Sequence, residues 1–384
     1  MPQVHAPKPD IPALTGIRGV AALWVAAYHL LLPAGFVTGT AARVLGRGYL
    51  AVDLFFVLSG FVMALNYGAL FRVPPSVEIF ARFLWRRAAR LYPLYGCILA
   101  SRFAYTALRY GTFDLPRPWI AAPLSHPAID IPANLLLVQA WGISSSCIGT
   151  AWSISTEWGA YFLFPIVALL ILWRSPRAAA AMAVLAAALI LLTALLDAHS
   201  GYHAGVLDAW NGATLRPMLR CLAGFMLGIT LWRLRQWAPA SRFASAPASL
   251  ATVLLTLAAA LACDAPDLLI YPLFPALVFC LAAGQSRAAA PLATGPAIWL
   301  GDISYALYLL HIFLLHPLDV TRAAARLALP VPVAEIVAPA TIFTFLLAAS
   351  HLAWRHIEMP GRRLMMSLAD GPQPVHSVQL TPLR

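Results

Sequence analysis

Nineteen consecutive residues, Ala178–Leu196, carry no charged side chain, and Thr193 is the one polar residue among them. As a helix such a run is roughly 28 Å long, which matches the hydrocarbon core of a bilayer. Nine comparable apolar windows accompany it, near residues 14–33, 49–67, 91–110, 151–173, 214–232, 247–263, 268–285, 299–316 and 335–354. Composition decides between lipid and a very large soluble core. Of 384 residues, 61% are hydrophobic and 11% charged, where a soluble domain has about 25% charged. A cytosolic enzyme, a disordered chain and a fibrous repeat are all excluded. The expected fold is an all-α integral membrane protein, a polytopic bundle of about ten transmembrane helices.

The net charge of +11 is almost entirely arginine, because Lys8 is the single lysine. With the N-terminus inside, sixteen basic residues fall in inner segments and six in outer ones, while Arg18, Arg102, Arg216 and Arg220 lie within or at the ends of spans. The segment Asp197–Gly212 carries none. Positive residues favour the cytoplasmic side, so both termini are expected in the cytoplasm. This asymmetry accounts for the basic charge without nucleic acid. Arg18 breaks the apolar core that a cleavable signal would need, so the first helix is expected to stay. The expected organisation is a cytoplasmic tail (1–13), one membrane domain (14–366) and a flexible cytoplasmic tail (367–384). A short helix at Ala133–Trp141 is expected in the outer segment Tyr110–Gly149. The five cysteines show no metal-type spacing and no metal site is expected; Cys147 and Cys263 fall near one outer face, where a bridge between them stays open.

Ionisable groups in apolar helices mark function by default. Arg18 and His29 are eleven residues apart, which places them within about 20° of each other on one helical face and roughly 16 Å apart in height. They either line a cavity, or Arg18 snorkels to the headgroups and His29 is a satisfied interior histidine. Asp53, on the next span, is expected at the depth of His29, where a carboxylate fixes the tautomer of an imidazole base. Ser59 and Gly60 read as helix packing. Arg87 and Arg90 share a face and suit phosphate oxygens, although a topology anchor looks the same; Arg82 and Arg86 read as anchors. Ser153, Glu157 and Tyr161 form an i, i+4, i+8 stripe, and Ser304, Tyr308 and His311 an i, i+4, i+7 stripe. Each reads as a cavity wall or as interhelical hydrogen bonding.

Six segments in order, Leu14-Thr-Gly-Ile-Arg-Gly-Val-Ala-Ala22 with the Arg18–His29 pair, Val52-Asp-Leu-Phe-Phe-Val-Leu-Ser-Gly60, Arg87-Ala-Ala-Arg-Leu-Tyr-Pro93, Trp152-Ser-Ile-Ser-Thr-Glu157 with Tyr161, Ile303-Ser-Tyr-Ala-Leu-Tyr-Leu-Leu-His311 and Ile357-Glu-Met-Pro360, resemble the membrane-bound acyltransferase-3 family of carbohydrate O-acyltransferases. The resemblance implies about ten helices in a bacterial cytoplasmic (inner) membrane. It also implies transfer of an acyl group, usually acetyl, from cytoplasmic acyl-CoA to a hydroxyl of a carbohydrate: an exopolysaccharide, an O-antigen or other glycan, or a glycosylated metabolite. Acyl-CoA would be a donor substrate, and no permanently bound cofactor is implied. By position, His29 and Arg18 are the essential pair, Asp53 and Glu157 supporting acids, and Arg87 and Arg90 the family's Arg-x-x-Arg patch. Larger members carry an outer esterase-like domain after the helices; any step it performs is expected to be absent here or supplied by a partner.

The expected mechanism makes His29 the general base, Asp53 its orienter, and Arg18, Arg87 and Arg90 the contacts to the donor, with Ser153, Tyr161, Tyr308 and His311 as further substrate contacts. A covalent acyl-histidine or acyl-serine relay is a variant. A secondary transporter using these groups as a proton relay and a non-catalytic component of polysaccharide export are the alternatives; the lack of an internal repeat weighs against the transporter.

Overall fold

The computed structural model describes residues 11–110, 126–172, 176–196, 204–284 and 287–370, and every regular element among them is helical. In chain order the principal helices are α1 (Pro12–Leu31), α2 (Ala51–Tyr67), α3 (Val77–Tyr110), α4 (Ala151–Ile171), α5 (Pro176–Leu195), α6 (Arg216–Arg235), α7 (Pro247–Ala262), α8 (Leu273–Ala283), α9 (Gly295–Asp302), α10 (Ser304–Leu310), α11 (Leu315–Ala328), α12 (Val331–Ala353) and α13 (Met359–Asp370). Several open on proline in the first turn, where its missing N–H has no intrahelical partner to lose.

This is a multi-pass integral membrane protein. Five stretches, Pro12–Leu31, Gly39–Phe71, Ala151–Leu170, Pro176–Leu195 and Val331–Ala369, are long and apolar enough to cross a bilayer, and three bent helix pairs bring the number to eight. The ten sequence windows also include α3 and α6, which are long enough at 34 and 20 residues but more polar. α6 carries Arg216, Arg220, Arg233 and Arg235. Of the most apolar window in the Gly39–Phe71 stretch, 78% is buried within the protein, against 22% in Pro176–Leu195 and in Val331–Ala369. α2 is therefore the core of the bundle, while α5 and α12 present their apolar faces to lipid.

Two close helix contacts position the site. α2 packs most extensively against α6, and glycines allow it: a Cβ on Gly60 would lie 2.0 Å from the Phe225 carbonyl oxygen, and one on Gly228 2.1 Å from that of Val57. Small residues at such crossings let backbones touch where lipid supplies no hydrophobic drive for association. α1 meets α9 in the same way. A Cβ on Gly301 would lie 2.1 Å from the Thr15 carbonyl oxygen, and one on Gly19 2.7 Å from the backbone of Leu300 and Gly301.

One local expectation is revised. The short helix of the outer segment is Pro127–Leu135, not Ala133–Trp141; it begins on a proline, and Leu137 at φ 57° turns the chain out of helical geometry. Residues 111–125 of that segment lie outside the described residues. Cys147 and Cys263 are free thiols, the first buried and the second exposed; burial pushes the Cys147 thiol up to about 12. Helix α13 runs to Asp370. The tails 1–10 and 371–384 and residues 197–203 of the segment after α5 lie outside the described residues.

Candidate active site

Helices α1, α2, α3, α4 and α10 enclose a cavity of about 260 Å³. Arg18, Arg87, Arg90, Ser153, Glu157, Tyr161 and Tyr308, seven of the residues singled out in the sequence, reach its wall. At the start of α3 it continues into a second space of about 380 Å³, which shares Arg18, Arg87 and Arg90 and adds Arg362, Asp302 and Trp354.

The end at the start of α3 is built from cations. Arg87 donates from Nη2 to the Tyr67 hydroxyl at 3.1 Å and lies over the rings of Tyr67 and Tyr161; its Nε is buried without a hydrogen-bond partner. Arg90 pairs with the fully buried Glu358 and lies over Tyr305. Glu358 is carried there by a π-helical turn, Trp354–Glu358, between α12 and α13; such turns re-aim side chains and cluster at functional sites. Arg18 donates from Nη2 to the Gly301 carbonyl at 2.7 Å and from Nε to the Ser304 hydroxyl at 3.0 Å. Four guanidinium groups thus line a half-enclosed space in which Asp302 is the lining acid. Crowded cations with weakened solvation favour an anionic ligand, and guanidinium forks match phosphate oxygens.

The middle of the cavity is a ladder of neutral hydroxyls around one carboxylate. Ser59 donates to Glu157 Oε1 at 2.5 Å, Tyr161 donates to the same oxygen, and the Ser153 and Tyr308 hydroxyls are 2.7 Å apart. All of the first polar stripe, and Ser304 and Tyr308 of the second, therefore wall the cavity, and Ser153, Glu157, Ser304 and Tyr308 also take part in bonds between helices. Of the pair read as packing, Gly60 packs against α6 whereas Ser59 faces the cavity.

Beyond Tyr308 lies a histidine pair. His29, in the last turn of α1, has Nδ1 3.0 Å from the Val25 carbonyl oxygen and 3.2 Å from His311 Nε2. His311 is fully buried, and its ring is 5.9 Å from that of Tyr308. Neither histidine is among the residues lining either space; His311, expected as a substrate contact, sits against His29. Arg18 and His29 do share a face of α1, since both meet the bent α9–α10 segment and its extension.

Asp53 does not orient His29. Its two carboxylate oxygens accept from Arg220 Nε at 2.8 Å and Nη2 at 2.6 Å, and both residues are fully buried. Arg220 also donates to the Tyr49 carbonyl at 2.8 Å. A buried guanidinium is far costlier unpaired than a carboxylate beside a neutral imidazole, so Arg220 claims the acid.

The sequence profile of the acyltransferase domain (acyltransferase 3) matches residues 11–354. The chain belongs to the acyltransferase 3 family. Five of the six segments quoted from the sequence lie on the helices that wall the cavity. A stretch of 121 residues is 40% identical to protein 2 in the picA locus of Rhizobium radiobacter, covering 30% of this chain and 54% of that protein. A stretch of 164 residues is 34% identical to acyltransferase MdmB of Streptomyces mycarofaciens, covering 41% of this chain and 38% of that protein. The matches thus span about half or less of these relatives' length. No solved structure matches.

Sequence reasoning missed Ser59, Glu358, Arg362 and the Arg220 partnership. One signal was available for the last of them. An arginine within an apolar span needs a partner, and Asp53 is an acid in otherwise apolar surroundings. Arg362 lies beyond the last quoted motif and beyond the family match, where nothing local marks it.

Proposed function

We propose that the protein transfers an acyl group, acetyl in the simplest case, from cytoplasmic acyl-CoA to a hydroxyl of a carbohydrate or glycosylated acceptor at a bacterial cytoplasmic membrane, with the N-terminus inside. One observation carries this reading: a continuous space that begins in an arginine cluster, runs between hydroxyls, and stops one tyrosine ring short of a histidine pair. A CoA thioester has that layout, with phosphates at one end, a long amide-bearing arm and a reactive carbonyl at the other. Membership of the family and the likeness to a relative named as an acyltransferase support the class of reaction.

Arg87, Arg90, Arg18 and Arg362 would hold the phosphates, and Ser153, Glu157, Tyr161 and Tyr308 would face the arm. His29 is the proposed base. The acceptor oxygen attacks the thioester carbonyl carbon, its proton passes to His29, the C–S bond breaks, and the proton returns from His29 to the departing thiolate. General-base assistance contributes about 10²–10⁴-fold, and alignment of the two substrates adds to it. Glu157 would poise the hydroxyls of Ser59 and Tyr161 rather than act as a second base, because both already donate to it.

Purified protein in liposomes, given radiolabelled acetyl-CoA and a panel of glycans and glycosylated metabolites, tests the proposal. Label is expected on an acceptor. Absence of transfer to every acceptor, together with counterflow of a solute, would favour transport instead.

A further inference from the structure

The loss of Asp53 to Arg220 leaves the question of what orients His29. Its Nδ1 lies 3.0 Å from a carbonyl oxygen, that of Val25. A carbonyl oxygen only accepts, so Nδ1 must carry the hydrogen; the other tautomer would set two lone pairs against each other. The basic lone pair of His29 is therefore on Nε2. His311 Nε2, 3.2 Å from the same Nδ1, then faces an N–H and must be the acceptor, which puts the His311 hydrogen on its own Nδ1. That atom is buried and has no hydrogen-bond partner among the described residues. The Val25 carbonyl, which can only accept, thus sets the tautomer of His29 and through it that of His311.

We infer that His311 is the positioning residue of the reaction: its Nε2 accepts from His29 Nδ1–H, holds the ring with Nε2 as the base, and stabilises the imidazolium formed when the acceptor hydroxyl gives up its proton. No bond to substrate is made by His311. During transfer the proton moves from the acceptor oxygen to His29 Nε2 and then to the thiolate sulfur, while Nδ1–H stays bonded toward His311 throughout. An imidazole in this place suits a dry site. His311 is fully buried, where a carboxylate in the same position would need a cation of its own, as Asp53 has in Arg220.

The inference rests on His29 being the base, and the experiment separates the two. Four proteins are compared with acetyl-CoA and a competent acceptor: wild type, His29→Gln, His311→Leu and His311→Gln. For His311→Leu, which removes the acceptor, kcat is expected to fall about 10- to 100-fold, the scale on which partners that orient a functional imidazole act, with KM for acetyl-CoA unchanged. His311→Gln presents its amide oxygen near the former Nε2 and should recover most of that loss. A merely structural histidine would instead show lowered thermal stability in both variants with no difference in kcat between Gln and Leu, and that result overturns the inference. So does a His311→Leu protein with wild-type kcat. If His29→Gln itself transfers acyl groups normally, the reading of His29 fails first and the inference fails with it. Should His311→Leu fail to fold, His311→Asn gives the decision: its shorter side chain cannot reach Nδ1, so it must lose kcat relative to His311→Gln.

Discussion

The arginine end of the cavity and the histidine pair beyond its other end solve opposite problems with nitrogen-bearing side chains in an apolar bundle. At the start of α3, Arg18, Arg87, Arg90 and Arg362 crowd around a half-enclosed space, with Glu358 paired to Arg90 and tyrosine faces against Arg87 and Arg90. Beyond Tyr308, His29 and His311 are packed ring against ring, 5.0 Å between centroids, with no charged partner. Under the proposed function, permanent cations sit where an anion would be held, and titrating groups sit buried where a proton would move. The difference predicts that damage at the histidine end appears in kcat and damage at the arginine end in KM.

The largest effect is expected at the histidine end. His29→Gln should reduce kcat by about 10²–10⁴-fold and leave the binding of acetyl-CoA, measured by calorimetry or by displacement of a labelled donor, within error of wild type. A comparable loss of donor affinity would erase the division between the two ends. Next comes a position that belongs to neither. Asp53→Ala strands the buried Arg220 and should lower stability by about 3–5 kcal/mol, read as a reduced melting temperature in detergent. The double variant Asp53→Leu/Arg220→Met removes both charges and should recover most of it. If Asp53→Ala were instead stable and slow in kcat, Asp53 would rejoin the histidine end.

Smaller effects are expected at the cations. Arg87→Gln and Arg362→Gln should each raise KM for acetyl-CoA by the equivalent of about 1.5–3 kcal/mol, the range for a charge-assisted contact. With acetyl-pantetheine, which lacks the nucleotide phosphates, both variants should match wild type. An equal penalty with the truncated donor would mean that the arginines shape the bundle rather than bind phosphate. The smallest change is Tyr308→Phe, which removes the bond to Ser153 between the two ends. Ser153 keeps its contact to the Thr150 carbonyl at 3.2 Å, so the loss should be about 0.5–1.5 kcal/mol, visible as a modest drop in kcat/KM.

Much of the molecule follows from the chain alone. Apolar runs the length of a bilayer, each of which must satisfy its own backbone, determined a helical membrane bundle. Periodicity of 3.6 residues put Arg87 with Arg90, and Ser153 with Glu157 and Tyr161, on shared faces. Those are local properties, and the structure keeps them. Which acid meets which base is not local. Asp53 pairs with a residue 167 positions away, Arg90 with one 268 away and His29 with one 282 away. Only the tertiary structure decided these pairings, because they depend on which helices the glycines bring into contact and on the cost of leaving each charge alone. Arg220, permanently charged and fully buried, had to take Asp53. The neutral imidazole of His29 was left to find its partner in another imidazole.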